Sequence, residues 1–209
     1  MYSQNFEDQI VWDYLKKKGI EQGTVLDIGA NDGTTFSNSL YFIESGWSAY
    51  LFEPSRQAFD KLRKLHENNP NVKLFNSGVS AVSEIKILYD CGSLINENDL
   101  SLVATTQKND KEKWQHRVNY FETEAFFIKW QDFLNGAQLE NQTFDFITID
   151  AEGEDWEILK QINLLTHDCS VLCVEWNGLP TNEKLFTEYA NSYNLYEISR
   201  NGENIIFAK

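Results

Sequence analysis

The nine residues VLDIGANDG, Val25 to Gly33, decide how the rest of the 209-residue chain is read. Thr24 to Ile28 is short, apolar and β-branched, the composition of a strand buried on both faces. It runs directly into a loop with two glycines, which permits a tight turn and a close approach of backbone to a ligand. The same pattern recurs outward. Ser48 to Glu53 (SAYLFE), Val72 to Phe75, Phe144 to Asp150 (FDFITID) and Ser170 to Glu175 read as further strands. Helical signals separate them, over Glu7 to Lys18, Phe36 to Ser45, Ser55 to Glu67, Glu154 to Leu165 and Asn182 to Tyr193. Ile10, Val11, Tyr14 and Leu15 make one apolar stripe; Ala58, Phe59, Leu62 and Leu65 a second; Trp156, Leu159, Ile162 and Leu165 a third. Leu195 to Lys209 predicts a hairpin turning at Asn201-Gly202. The alternation predicts an α/β fold: a doubly wound, mostly parallel seven-stranded sheet closed by a C-terminal antiparallel hairpin. Ligands of such sheets bind at the carboxyl ends of the strands, near the switch point.

Length and composition place residues 1–209 in a single domain, with only three prolines and no Gly/Ser linker. Residues 83–131 are the exception to the regular pattern. Ile85, Ile87 and Tyr89 alternate like a strand, Asn96 to Gln115 reads as a polar loop or lid, and Tyr120 to Trp130 as an aromatic strand or cleft cover. This segment is the expected lid or substrate-binding insertion. A net charge of -14 disfavours a phosphate-rich partner, so no nucleic acid is expected. The cysteines Cys91, Cys169 and Cys173 form no CxxC pair, and the last two flank an apolar run as small core residues. The opening MYSQNFEDQ has no apolar core of a signal peptide, and no run approaches a membrane span. The expected location is the cytoplasm, with no membrane partner.

The strand ends carry the chemistry. Glu53 closes the second strand 24 positions after Gly29, where an acid can accept hydrogen bonds from the ribose hydroxyls of an adenosine cofactor. A dinucleotide fingerprint needs G-x-G-x-x-G, and Asn31 and Thr34 stand in place of its second and third glycines. Asp27 and Asp32 would repel a pyrophosphate. They suit the ammonium and sulfonium of S-adenosyl-L-methionine. Two further strands end in Asp150-Ala151-Glu152-Gly153 and Glu175-Trp176-Asn177-Gly178, bringing more acids to the same rim. Burial would raise their proton affinity and suit them as bases. The plainer reading of Asp150 or Glu152 is capping of the helix that begins near Glu154.

These motifs together resemble the FkbM-type methyltransferases, class I S-adenosylmethionine enzymes. VLDIGANDGTTFSNSL (Val25 to Leu40), GWSAYLFEPS (Gly46 to Ser55), the pair Asn76-Ser77 and FITIDAEGEDWEILK (Phe146 to Lys160) carry the resemblance, with SQNFEDQ (Ser3 to Gln9) ahead of them. Residues 88–120 match nothing in it. The resemblance implies a Rossmann-like fold, and Asp27, Gly29, Asn31 and Gly33 at the methionine side of the cofactor. It implies Glu53 at the ribose and Asn76, Ser77 and Gly78 near the adenine. Ser37 and Asn38 face the pocket or are merely helix-surface polarity. Such enzymes commonly methylate hydroxyls of sugars or polyketide-type natural products, so O-methylation of a small hydroxyl acceptor is the leading expectation.

On that reading Asp150 stands beside the reacting centre, with Glu152, Glu175 or His116 as the base. His116 has the right intrinsic pKa but sits in a polar loop; His66 and His167 read as surface residues. Asp150-x-Glu152 offers hard oxygen ligands, but no His joins them at a recognisable spacing, and no metal is expected. Two other classes stay open: an NAD-dependent oxidoreductase on a related fold, and a non-catalytic cofactor-binding module.

Overall fold

A computed structural model describes residues 1–95 and 99–209. Its main sheet has seven strands in the order β3-β2-β1-β7-β8-β10-β9. They are β1 (Thr24–Ile28), β2 (Ser48–Phe52), β3 (Val72–Phe75), β7 (Phe146–Ile149), β8 (Val171–Glu175), β9 (Tyr196–Arg200) and β10 (Asn204–Ala208). The first five run parallel to one another and β10 runs antiparallel to both β8 and β9. The chain crosses from β3 on one side of β1 to β7 on the other, which makes the β1/β7 junction the switch point.

Strand periodicity sorts the core into two layers. Leu26, Ile28, Ile147, Ile149, Leu172 and Val174 face one side, covered by α5 (Trp130–Ala137), α6 (Asp155–Leu159) and α7 (Pro180–Ser192). Val25, Phe146, Val171 and Cys173 face the other, covered by α1 (Glu7–Lys17), α2 (Leu40–Glu44) and α3 (Arg56–His66). Asp27, Thr148, Asp150 and Glu175 have the parity of this second layer. One face of the sheet therefore turns from apolar to acidic as it reaches the carboxyl ends.

A second sheet, β4-β6-β5, is built from β4 (Gly78–Ser80), β5 (Glu84–Cys91) and β6 (Tyr120–Lys129). Between β5 and β6 the expected polar loop includes residues 96–98, which lie outside the described residues; Lys108–Trp114 forms α4.

The two short helices depart from expectation. The helix expected from Phe36 begins only at Leu40, because Ser39 donates its hydroxyl to Asp27 (2.5 Å) and Phe36 adopts a left-handed φ of 56°. The one expected to reach Leu165 stops at Leu159, since the Asn163 side chain takes the Leu165 and Thr166 amides into an Asx turn. Leu165 is therefore exposed rather than inward. Leu65 is exposed too, because His66, four residues past Leu62, takes the buried position on α3. His66 and His167 are both buried, correcting their reading as surface residues; His167 pairs through Nδ1 with the Gln142 carbonyl (2.8 Å). All three cysteines are buried and free. No helix among the described residues is long and apolar enough to cross a membrane.

Candidate active site

A cavity of about 380 Å³ opens at the carboxyl ends of β1, β2, β7 and β8, within the range of small-molecule sites. Asp27, Gly29, Asn31, Ser37, Glu53, Gly78, Asp150, Glu152 and Glu175 all line it. Four sequence-predicted residues do not. Gly33 turns away: a Cβ there would lie 2.5 Å from Leu62 Cδ1, so this glycine serves the packing of the loop on α3. Asn76 ties down the turn after β2, its amide donating to the carbonyls of Glu53 (2.9 Å) and Pro54 (3.3 Å), and Ser77 is buried beside it. His116 is exposed beyond α4, outside the cavity wall.

Glu53 organises the cofactor loop before any ligand arrives. Its carboxylate accepts the amides of Asn31 (2.9 Å) and Ser55 (2.6 Å). Gly29 is required by close packing: with φ of +100°, a Cβ would stand 1.7 Å from the carbonyl oxygen of Asp150. The loop after β1 and the loop after β7 thus touch through backbone. Asp32 faces its own loop, accepting the amides of Thr34 and Thr35, and these bonds lower its pKa against the desolvation that raises it.

Neither Asp150 nor Glu152 caps α6. Asp155, the first residue of α6, instead folds back on the loop before it, its carboxylate accepting the amides of Ala151 (2.9 Å) and Gly153 (3.2 Å). Asp150 and Glu152 are left free to face the cavity, and Glu152 is held there with φ of 46°. Among the described residues, five of the nine non-glycine residues with positive φ line this cavity: Asn31, Phe36, Ser101, Glu152 and Asn177. Strained backbone of this kind persists where surrounding structure over-determines it, typically around functional sites.

Packing acids together in a desolvated pocket raises their proton affinity. Burial pushes Glu53 up to about 8, against its two amide bonds and with help from the charges of Asp90 and Asp27. Burial likewise lifts Asp27 to about 6, opposed by the Ser39 hydroxyl. Burial and the charge of Asp27 bring Asp150 to about 6. Burial and the Asp150 charge hold Glu152 and Glu175 well above the ordinary carboxylate range. As a set these acids can bind cations or exchange protons near neutrality.

The sequence reading expected a lid within residues 83–131 but singled out none of the residues that roof the site. Asn31 reaches the Leu100 carbonyl (3.2 Å), Thr105 donates to the Glu152 carbonyl (2.8 Å), and the hydroxyls of Ser55 and Ser101 are 2.8 Å apart. Leu88, Phe127 and Trp114 add apolar walls, and Glu203 and Asn204 arrive from the hairpin. Thr148, next to Asn38 (3.1 Å), was detectable from strand parity; the roof lies in aperiodic sequence and carried no such signal.

The sequence profile of the methyltransferase FkbM domain matches residues 27–198. An Escherichia coli protein described as a methyltransferase, yhhF, aligns over 99% of this chain and 86% of its own, at 14% identity and a TM-score of 0.50. Monomeric WbdD aligns over 99% of this chain and 41% of its own, at 14% identity and a TM-score of 0.51. At such identities the likeness is one of fold. No curated protein sequence matches the chain significantly.

Proposed function

As a member of the methyltransferase FkbM domain family this chain is an S-adenosylmethionine-dependent methyltransferase, and we propose that it methylates a hydroxyl of a sugar or another small natural product. The observation that carries the proposal is the meeting of Asp27, Glu53, Asp150 and Glu175, from four strand ends, in one cavity beside apolar walls.

These residues fit the cofactor. Its two positive centres match a pocket whose ionisable lining, among the described residues, is acidic apart from Arg117. Both Glu53 oxygens already accept one amide, and each keeps a lone pair for a ribose hydroxyl. On our reading Asp27, Gly29, Asn31 and Ser37 surround the methionine end, and Gly78 faces the adenosine side. Bound there, S-adenosylmethionine would supply an electrophilic methyl group for the acceptor oxygen, with its sulfur as the leaving group.

The chain's own task is to align the hydroxyl and take its proton. Asp150 ionises near neutrality and is the carboxylate placed to receive it. Glu175 stands in the same cluster, its own carboxyl pushed well above the ordinary range by burial and by the Asp150 charge. Trp114 and Phe127 in the wall offer aromatic faces for a sugar ring. The net charge of -14 argues for a small acceptor over a nucleic acid. Incubating the protein with radiolabelled S-adenosylmethionine and panels of sugar, polyketide-type, amine and RNA acceptors tests this. Label in an alkali-stable methyl ether supports it; transfer confined to amines or to RNA would refute it.

A further inference from the structure

We propose that Asp150, Glu152 and Glu175 form a binding site for one divalent cation of the Mg²⁺ class. Each offers a carboxylate oxygen, and the three lie within 4.8 Å of one another. Oxygens bound to a six-coordinate ion at about 2.1 Å stand about 3 to 4 Å apart, and the longer bonds of a larger ion spread them to about 5 Å. Side-chain rotation therefore closes the cluster around an ion without movement of the strands.

Glu175 gives the independent sign of a missing partner. It is 7% exposed, its Oε2 is buried, and that oxygen meets no hydrogen-bond donor in the protein. The backbone register fixes it there: Asn204 of β10 is its pair on one side, and Asp150 follows the Ile149–Val174 pair on the other. Among the described residues, no ion pair involves Asp150, Glu152 or Glu175; the nearby Lys86 pairs with Glu154 instead (3.4 Å). Three acids facing one another with no partnered cation are what an ion would join.

The donor set also selects the ion. All three ligands are hard carboxylate oxygens, with no imidazole or thiolate, which favours Mg²⁺, Mn²⁺ or Ca²⁺ over zinc or copper. Asp150 and Glu152, only partly buried, leave the cavity side of the site to water or a ligand oxygen. Binding of the cation stands on the cluster itself. Its use, to hold and acidify the acceptor hydroxyl, rests on the methyl-transfer reading above.

The test uses Mn²⁺ as a paramagnetic probe of the metal-free protein. Titration followed by the electron paramagnetic resonance of free Mn²⁺ should show one saturable site per chain, displaced by Mg²⁺. Glu175→Gln and Glu152→Gln should each weaken it about tenfold or more, while the exposed Glu188→Gln leaves it unchanged. Circular dichroism melts of the same samples confirm folding, and Glu152→Gln decides the matter if the buried Glu175→Gln does not fold. Absence of a saturable site, or equal affinity in wild type and Glu152→Gln, overturns the proposal. Calorimetry with S-adenosylhomocysteine on the same protein keeps the two readings apart. Cofactor binding without Mn²⁺ binding sinks the cation site alone; Mn²⁺ binding without cofactor binding upholds the cation site and sinks the methyl-transfer reading.

Discussion

Cofactor affinity should rise with pH, and Glu53 sets the size of the effect. Its carboxyl is pushed up to about 8 by burial, then by the charges of Asp90 and Asp27, in spite of the two amides it accepts. The ionised form is the one that accepts from both ribose hydroxyls. With a pKa of about 8, about a tenth of the protein carries that form at pH 7 and about nine tenths at pH 9. Apparent affinity scales with the competent fraction, so Kd should fall about tenfold across this range. Calorimetric titration with S-adenosylhomocysteine at intervals from pH 7 to pH 9 measures it. Methylthioadenosine, which lacks the titrating amino acid end, should show the same slope and so assigns it to the ribose side. Glu53→Gln should bind more weakly at pH 9 and show no slope. Stability of the free protein runs the other way. A folded-state pKa above the unfolded value means that the native state holds the extra proton between about 4.5 and 8. The stability Glu53 contributes is therefore complete below that window and lost as pH rises through it. A Kd flat with pH in wild type, or a slope that persists in Glu53→Gln, would refute the assignment.

Other substitutions probe the remaining parts of the architecture. Gly29→Ala should cost about 1–3 kcal/mol from its +100° backbone alone, and more from the collision with the Asp150 carbonyl, seen as a lowered denaturation midpoint together with weakened cofactor binding. Asp150→Asn should cut turnover by about 10² to 10⁴, the usual worth of a positioned base, measured as S-adenosylhomocysteine release with an identified acceptor; full turnover would remove it from the mechanism. Trp47→Ala empties a fully buried site packed on Phe42 and should destabilise by about 3–5 kcal/mol in urea unfolding. His116→Ala, at an exposed position outside the cavity, should change cofactor affinity and turnover by less than about twofold.

The parts of this molecule legible in its sequence are those where one residue's neighbours along the chain are also its reason for being there. β1 and β7 are apolar runs because both sheet faces are covered. Asp27, Glu53, Asp150 and Glu175 end their strands at a rim already expected to bind a ligand. What was not legible depends on partners distant in sequence. Nothing near Gly33 announces that Leu62 will pack against its α-carbon, so a packing glycine read as a ligand contact. Asn76 looked like an adenine ligand, yet its amide is spent on the turn after β2. Asp150 and Glu152 looked like caps of α6, yet neither side chain bonds to it, and Asp155 braces the loop they sit in through the amides of Ala151 and Gly153. The same holds for the roof. Leu100 and Thr105 meet Asn31 and Glu152 across 69 and 47 residues, and two of those four, Asn31 and Glu152, sit in left-handed backbone that no hydrophobic period encodes. Strand periodicity can place acids on one rim, but only closure of the β5–β6 segment over that rim turns it into an enclosed site. Enclosure is also what lifts the proton affinity of Glu53 and Asp150. The chemistry of the site is therefore a property of tertiary contacts that the strand motifs locate but do not contain.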